Sequence, residues 1–497
     1  MARKQYKPWT PDPPFLLPPS PLEWLPEGHL AHVVLDVVGA LDLDEIEGPL
    51  HAKDRRGARP YNPAMMTALL LYGYCVGVFS SRKLERATYE DVAFRVIGGG
   101  NHPDHSRIAT FRRDHLEALR GLLLLGLKRC QKAGMVKLGH VAIDGTKIQG
   151  NASKHKAMSY ERMLQTERRL QGEIDALLAR AEEIDSSEDT RYGHGGREED
   201  LPAALRRREQ RLARIREAKS RLEAEAAEAR ARPLRVPAHR AAEPSKDDTV
   251  ETAARKRAGT RSTRRAAAAG KPAPGRDDED IAPPTTEDGL PMHEPKAKRD
   301  GTPTPTAQRN FTDADRRIMA SQGTFVPGYS CQAAVDDAHQ IIVAEAVSNQ
   351  SPDNGNLVPM LGLVQQSCDA TPAAATGESG YWTSTVEEQA ARMGTNAYLS
   401  TERRRHWDAD DTVTEGTPSR DLDPRGRMRH KLRTTQGREI YARRKGTVEP
   451  VFGQTKEGRG FRRFHLRGLS GVIGEWAIVC TGHNLLKRFR FRKAAAA

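Results

Sequence analysis

Apolar and polar positions follow two periods along this chain, and the switch between them divides it. From Leu30 to Ile46 apolar residues recur at helical spacing, and a second such run, AMMTALLLYGYCVGVFS, follows Pro63. Pro63 in a first turn behind Asn62 marks a capped helix start. SSRKLERATYEDVAFRVIGG predicts two short helices, the first capped by Ser81. GGGNHPDHS breaks the pattern, and RIATFRRDHLEALRGLLLLGLKRCQKAG resumes it. The order is that of a helix–turn–helix, with Arg107, Arg112 and Arg113 at the start of the third helix, where phosphates or bases are in reach. A plain helical bundle with solvated arginines has the same pattern.

The period changes at HVAIDGTKIQG, His140 to Gly150. Val141 and Ile143 alternate with Ala142, which predicts a strand carrying Asp144 into a Gly-Thr turn. A carboxylate among such neighbours needs a metal ion, a basic partner or a hydrogen-bonded turn. Asp-Gly is also a common hairpin pair, so both readings stand at this point. Beyond it, Met163, Leu170, Ile174, Leu177 and Ile184 fall on one heptad track, and Leu205, Leu212, Ile215 and Leu222 on another. The polar turn SSEDTRYGHGGREED between them predicts an antiparallel coiled-coil hairpin. Pro233 to Gln308 has almost no large apolar residue and predicts disorder.

Strand periodicity returns in GYSCQAAVDD and HQIIVAEAV, joined through Asp336 and Asp337. A helix with Leu357, Met360, Leu361 and Val364 on one face follows, then a short strand and turn in ATGESGYW, a further helix, and a strand in TNAYLSTERR. Arg403 to Arg438 is basic and loop-like. Glu449 then sits on an apolar helix followed by Lys456, Arg459, Arg462, Arg463 and Arg467, and a last helix spans Gly471 to Arg490. Strands alternating with helices predict an α/β sheet.

The chain's 497 residues exceed one core and predict two to four domains. A net charge of +13 favours a polyanionic partner, nucleic acid more readily than membrane. With 5% aromatic residues the chain lacks the aromatic interleaving expected of an RNA scaffold. Cys75, Cys130, Cys331, Cys368 and Cys480 form no CxxC pair, which fits a reducing cytoplasm and excludes zinc ribbons. No apolar leader and no long apolar run is present, so neither secretion nor membrane spanning is expected.

DGTKIQGNASKH, GTFVPGYSCQAAVD, ESGYW and VEPVFGQTKEGRGFRRFHLRGLSGVIGEWAIVCTGHNLLK, in that order, resemble bacterial insertion-sequence DDE transposases of the IS-four-like superfamily. The resemblance implies an α/β fold: an RNase-H-like catalytic core, a helical N-terminal domain and an inserted coiled-coil hairpin. The implied domains are an irregular arm at 1–27, a helical DNA-binding domain at 28–135, the first part of the core at 136–155, the coiled-coil insertion at 156–232, a disordered linker at 233–309 and the rest of the core at 310–493. It further implies metal-dependent cleavage and strand transfer on double-stranded DNA, both element ends and target, by a homodimer acting in the bacterial cytoplasm at the nucleoid.

Three carboxylates are then wanted as catalytic residues and metal ligands: Asp144, Glu378 and Glu449. They would hold Mg²⁺ (or Mn²⁺) ions roughly 4 Å apart on a scissile phosphodiester. Lys456 stands at the family's E-x6-K spacing, and Arg444 and Lys445 join Arg107, Arg112, Arg113 and Lys456 as DNA-binding residues. The family's tyrosine–arginine–glutamate register is not matched: Lys445 stands where an arginine is expected, and Tyr441 is one residue early. Glu378 replaces the family's aspartate, and its extra methylene moves the carboxylate by about 1 Å, enough to cost roughly a hundredfold in rate. Asp353, Asp336 and Asp337 are rival acids, the last two in turn positions and Asp353 at a helix start. The alternative is a catalytically impaired, transposase-derived DNA-binding protein.

Overall fold

The computed structural model describes residues 20–41, 43–44, 46, 60–153, 156–192, 203–231, 284–298, 300–321, 324–402, 413–419 and 421–496. Most of the expected N-terminal arm, residues 1–19, and residues 233–283 of the expected linker lie outside these. The chain forms two compact units: Met1–Met158 with Thr285–His293 and Arg309–Ala497, and Ser159–Pro284 with Glu294–Gln308.

In the first unit the N-terminal helices are α1 (Leu30–Val38), α2 (Pro63–Val76), α3 (Ser81–Glu90), α4 (Val92–Gly98), α5 (His105–Asp114) and α6 (Leu116–Lys132). Asn62 caps α2 by accepting from the Met65 amide at 3.1 Å. Gly77 ends it at φ +85°, a left-handed conformation that favours glycine. Two expectations shift here: α1 stops at Val38, before Gly39, and the cap position of α3 is Ser80, with Ser81 its first residue.

The sheet runs β6 (Ile341–Ser348), β5 (Thr324–Asp336), β1 (His140–Gln149), β7 (Ala374–Gly377), β8 (Asn396–Leu399). β5 lies antiparallel to β1 and β6, whereas β1, β7 and β8 are mutually parallel. A further strand, β4 (Arg317–Ser321), pairs with the first half of β5, and β2 (Ala157–Ser159) pairs with β3 (Gln308–Asn310) in a separate two-stranded sheet. The two faces of the sheet carry separate cores. Ala142, Ile148, Cys331 and Val335 pack with the N-terminal helices, with α12 (Thr435–Gly453) and with α13 (Leu469–Ala496). Val141, Ile143, Ala334 and Val343 pack with α9 (Leu357–Cys368), α10 (Val386–Arg392) and Leu290. The N-terminal helices therefore share a core with the sheet.

The Arg403 to Arg438 stretch is less loop-like than expected. Within it α11 (Pro424–Arg433) is capped by Asp423, which accepts from Gly426, and α12 by Thr434, which accepts from Gly437. Asp-Pro and Thr-Thr were start signals inside a charge-rich run. Residues 284–298 and 300–309, part of the expected linker, are described and structured. Thr285–His293 belongs to the first unit, Leu290 is fully buried, and the Ser348 hydroxyl donates to the Pro291 carbonyl.

The second unit contains two long helices, α7 (Tyr160–Tyr192) and α8 (Ala203–Ala231). Met163, Leu170 and Ile174 of one, and Leu205, Leu212, Ile215 and Leu222 of the other, are buried. Glu167 pairs across the seam with Arg216 at 2.9 Å and Lys219 at 2.7 Å, and Glu173 with Arg208 at 2.9 Å. α7 continues to Tyr192 through the first part of the expected turn, because Ser-Ser-Glu-Asp-Thr holds no glycine or proline to break it. The side chain of Ile184 and residues 193–202 lie outside the described residues.

One acid of the first unit is buried without a full complement of partners. Glu345 on β6 is 6% exposed, and burial pushes its carboxyl up to about 8 despite Arg120 nearby. A carboxyl raised in the folded state stays protonated while the unfolded chain has released its proton. Stability contributed at this site is therefore present at low pH and lost as pH rises from about 4.5 to about 8. Glu345→Gln is expected to flatten that slope, gaining on the order of 3 kcal/mol over wild type at the alkaline end. Urea denaturation across the window checks it; parallel pH profiles would sink the assignment.

Candidate active site

Asp144 sits in mid-β1, paired with Ala333 of β5. β7 pairs with β1 only from His140 to Ala142, and the next partner on that edge is Arg463 against Gln149. The interval carries Asp144, and β7 delivers Glu378 to it from its C-terminal end. Gly145 packs against the ends of two polar side chains. A Cβ on it would lie 2.8 Å from Asp353 Oδ1 and would overlap Gln332.

The third acid comes from α12. Thr447, Val448, Val451 and Phe452 form its buried stripe, and Arg444 lies on the same stripe one turn earlier. Glu449 projects beside it, 52% exposed in its side chain. Arg444, 5% exposed in its side chain, is the point where the three predicted acids meet. Its guanidinium lies 3.5 Å from Asp144, 3.1 Å from Glu378 and 3.7 Å from Glu449. Burial works against its charge, and Tyr441, Asp144, Glu378 and Glu449 outweigh burial, so its pKa is raised. Tyr441 stacks under it with the guanidinium 5.9 Å from the ring centre.

Asp144 is the most enclosed of the three. Burial first, then the charge of Glu378, push its carboxyl up to about 7, against the Gly145 amide bond at 2.8 Å and Arg444. Such a group calls for more positive charge than one guanidinium supplies to three carboxylates. The donor set is hard oxygen from two strand ends and a helix, open to solvent at Glu378 and Glu449, and it fits divalent cations such as Mg²⁺ or Mn²⁺. The trio is splayed around Arg444. Among the described residues, the acidic group whose ligand atoms all lie within 4.8 Å of one another is elsewhere, at Glu85, Asp104 and His105. There Asp104 caps α5 through the Ser106 amide, and Glu85 accepts from the His105 amide.

The rival acids are engaged otherwise. Asp353 takes Lys147 Nζ at 3.0 Å and Gln332 Nε2 at 2.9 Å, and the Tyr381 hydroxyl donates to Gln332 Oε1. Asp336 accepts from the Lys137, Leu138 and Ala338 amides, the turn role its position suggested. Asp337 lies 3.4 Å from His140 Nδ1 and 3.5 Å from Arg443.

The basic residues divide. Lys456 is half-buried in a π-helical turn, Gln454–Gly458, so an α-helical two-turn step from Glu449 does not set its direction. Burial lowers its pKa most, and Cys331 and Asp144 pull the other way. Lys445 is exposed, off the buried stripe. The buried arginine beside the acids is Arg444, one position before Lys445. Arg459 is structural: it donates to the Tyr74 and Val479 carbonyls and to Thr455. Arg107 and Arg113 are exposed on α5, whereas Arg112 is 3% exposed and donates to the Tyr74 hydroxyl and the Phe79 carbonyl. Tyr74 in turn donates to buried Glu475, which accepts from the His465 and Leu466 amides. Arg112 is thus committed to the core and unavailable to DNA, because its helix position falls on the apolar face behind Ile108.

Family comparison finds two matching models. A transposase DDE domain matches residues 415–489, the stretch holding Arg444, Glu449 and Lys456, and a transposase domain (DUF772) matches residues 20–114, the helices α1–α5. Both indicate an insertion-sequence DDE transposase. No curated protein and no solved structure matches the chain. A DDE transposase domain makes the protein a DNA-cleaving enzyme in general, a class that uses divalent metal ions, and makes DNA its partner. Among the described residues no single helix is long and apolar enough to cross a membrane.

Proposed function

We propose that this transposase, of the IS-four-like superfamily, binds the terminal inverted repeats of its mobile element as a homodimer, cuts the ends and joins them to target DNA. The catalytic unit is an RNase-H-like sheet, a reading supported by the strand order β6-β5-β1-β7-β8 with β5 alone reversed. The observation that carries the site is the convergence of Asp144, Glu378 and Glu449 on one guanidinium. Divalent ions held by these carboxylates would supply Lewis-acid stabilisation of the scissile phosphate and a hydroxide or 3′-oxyanion nucleophile at neutral pH. Asp144, enclosed and poorly solvated, anchors the inner side; Glu378 and Glu449 present oxygens outward, where a phosphodiester enters. Arg444 keeps the carboxylates gathered, and Lys456 offers a cation to a DNA phosphate beside them. A strand-cleavage assay on end DNA with Mg²⁺ or Mn²⁺ tests the reading. End binding without metal-dependent cutting would favour the impaired DNA-binding protein, a reading that Glu378 in place of aspartate keeps in play.

End recognition falls to exposed residues of α5. Replacing Arg107 and Arg113 together by alanine is expected to weaken end binding and lower the salt slope by about 2, one phosphate contact each. Fluorescence anisotropy against salt measures this. An unchanged slope would move recognition to other basic surfaces.

A further inference from the structure

The most exposed large apolar side chain among the described residues is not part of the acidic site. Phe325, 76% exposed, begins β5, where it pairs with Ala320 of β4; Ile318, 48% exposed, pairs with Pro327. These four alternate onto one face of the β4–β5 pair. Met319, on the opposite face, is fully buried. The solvent-facing side of the pair is thus a flat apolar surface with an aromatic ring at its end. Beside it lies a groove of about 860 Å³ lined by Gln149, Lys156, Phe325, Pro327, Arg463 and Arg467 among others, with three cations and no acid among the described residues of its lining. Lys156, Arg463 and Arg467 are exposed, and Arg467 is braced by donating through Nε to the Asn151 carbonyl at 2.8 Å.

An aromatic face among cations suits one ligand chemistry: a nucleotide whose base is out of its stack and whose phosphates are paired by Lys and Arg. A protein partner of ordinary surface would leave three cations without counter-charges. The groove is also in line with the acidic site. β1 runs from Asp144 to Gln149, and at about 3.3 Å per residue its far end lies about 17 Å away, the length of about five base pairs of B-form DNA. We propose that this groove binds an unpaired segment of DNA strand, with one base stacked on Phe325 and flanking phosphates on Lys156, Arg463 and Arg467. The inference rests on DNA as the substrate and adds a subsite for unpaired nucleotides to it.

The test uses the full chain and two fluorescein-labelled probes of about 20 nucleotides per strand, a single strand and a blunt duplex of unrelated sequence, read by anisotropy. Phe325→Ala is expected to weaken single-strand binding about 5- to 150-fold, the range for losing one stacked base, and to leave duplex binding within about twofold. Phe325→Trp should retain affinity, and its indole fluorescence should be quenched by the single strand. Alanine at Lys156, Arg463 and Arg467 together should lower the single-strand salt slope by about 2, since each phosphate contributes about 0.7. Phe325 is exposed, so circular dichroism of the alanine protein should match wild type. Equal affinity of Phe325→Ala and wild type for the single strand overturns the proposal, as does an equal loss on both probes. Wild type binding neither probe overturns the proposal and the DNA reading together, whereas intact duplex binding with an indifferent Phe325 removes the groove alone.

Discussion

Asp144→Asn and Glu449→Gln are each expected to abolish metal-dependent cleavage of end DNA, by roughly a thousandfold or more, with end binding retained. Each substitution keeps shape and removes one charged oxygen donor. Asp144→Asn should not destabilise the fold, since the wild-type carboxylate is already costly to ionise where it stands, with its carboxyl pushed up to about 7 by burial and by Glu378. Glu378→Gln should behave like the other two. Glu378→Asp should hold or raise activity, because it withdraws the carboxylate by about 1 Å, a distance that can change rate roughly a hundredfold. Gel assays of strand cleavage with Mn²⁺ on matched, folded proteins decide it. Full cleavage by Glu378→Gln would exclude this residue and redirect attention to Asp353, whose oxygen lies beside Gly145. An inactive wild type revived by Glu378→Asp would identify a disabled copy.

Arg444→Gln should lower stability in chelator by about 2–4 kcal/mol. Its guanidinium is nearly buried and within ion-pair distance of three carboxylates, so its removal leaves like charges gathered with no counter-ion. The cost stays below that of a fully buried network because Glu378 and Glu449 are half-exposed and can turn to water. Divalent cation should then stabilise the variant more than wild type, since it binds a folded site whose own cation has gone. Thermal unfolding with and without Mn²⁺ reads both effects. A variant as stable as wild type in chelator, or one gaining no more from Mn²⁺, would mean that Arg444 does not hold the acids together.

Much of this was legible in one dimension, because the signals were local. Period-2 runs located β1, β5 and β6, Asn62 and Pro63 located α2, and the apolar seams of α7 and α8 followed from heptad spacing. Asp144 and Glu449 stood out as acids on apolar elements. Other features depended on which neighbours a side chain meets. Arg107, Arg112 and Arg113 look alike as letters, yet Arg112 faces Tyr74 and Phe79 in the core while its two companions face water. The stripe of Thr447, Val448 and Val451 does single out Arg444 over Lys445 once α12 is drawn as a helix, but the family's usual register conceals it. The burial of Leu290 was hidden by the polar, proline-rich composition around it, since one large apolar residue gives no period to read.

The sequence by itself therefore determined most of the elements, a basic charge balance suited to a polyanion and the candidate acids. Tertiary structure alone decided that three acids, separated by more than two hundred residues between the first two, share the guanidinium of Arg444, that Asp353 is already bound to Lys147 and Gln332, and that Arg112 is a core residue. The physical reason is range. Helix and strand periods come from backbone geometry over a few residues, whereas burial, ion pairing and the fate of a lone charge depend on elements brought together from distant parts of the chain.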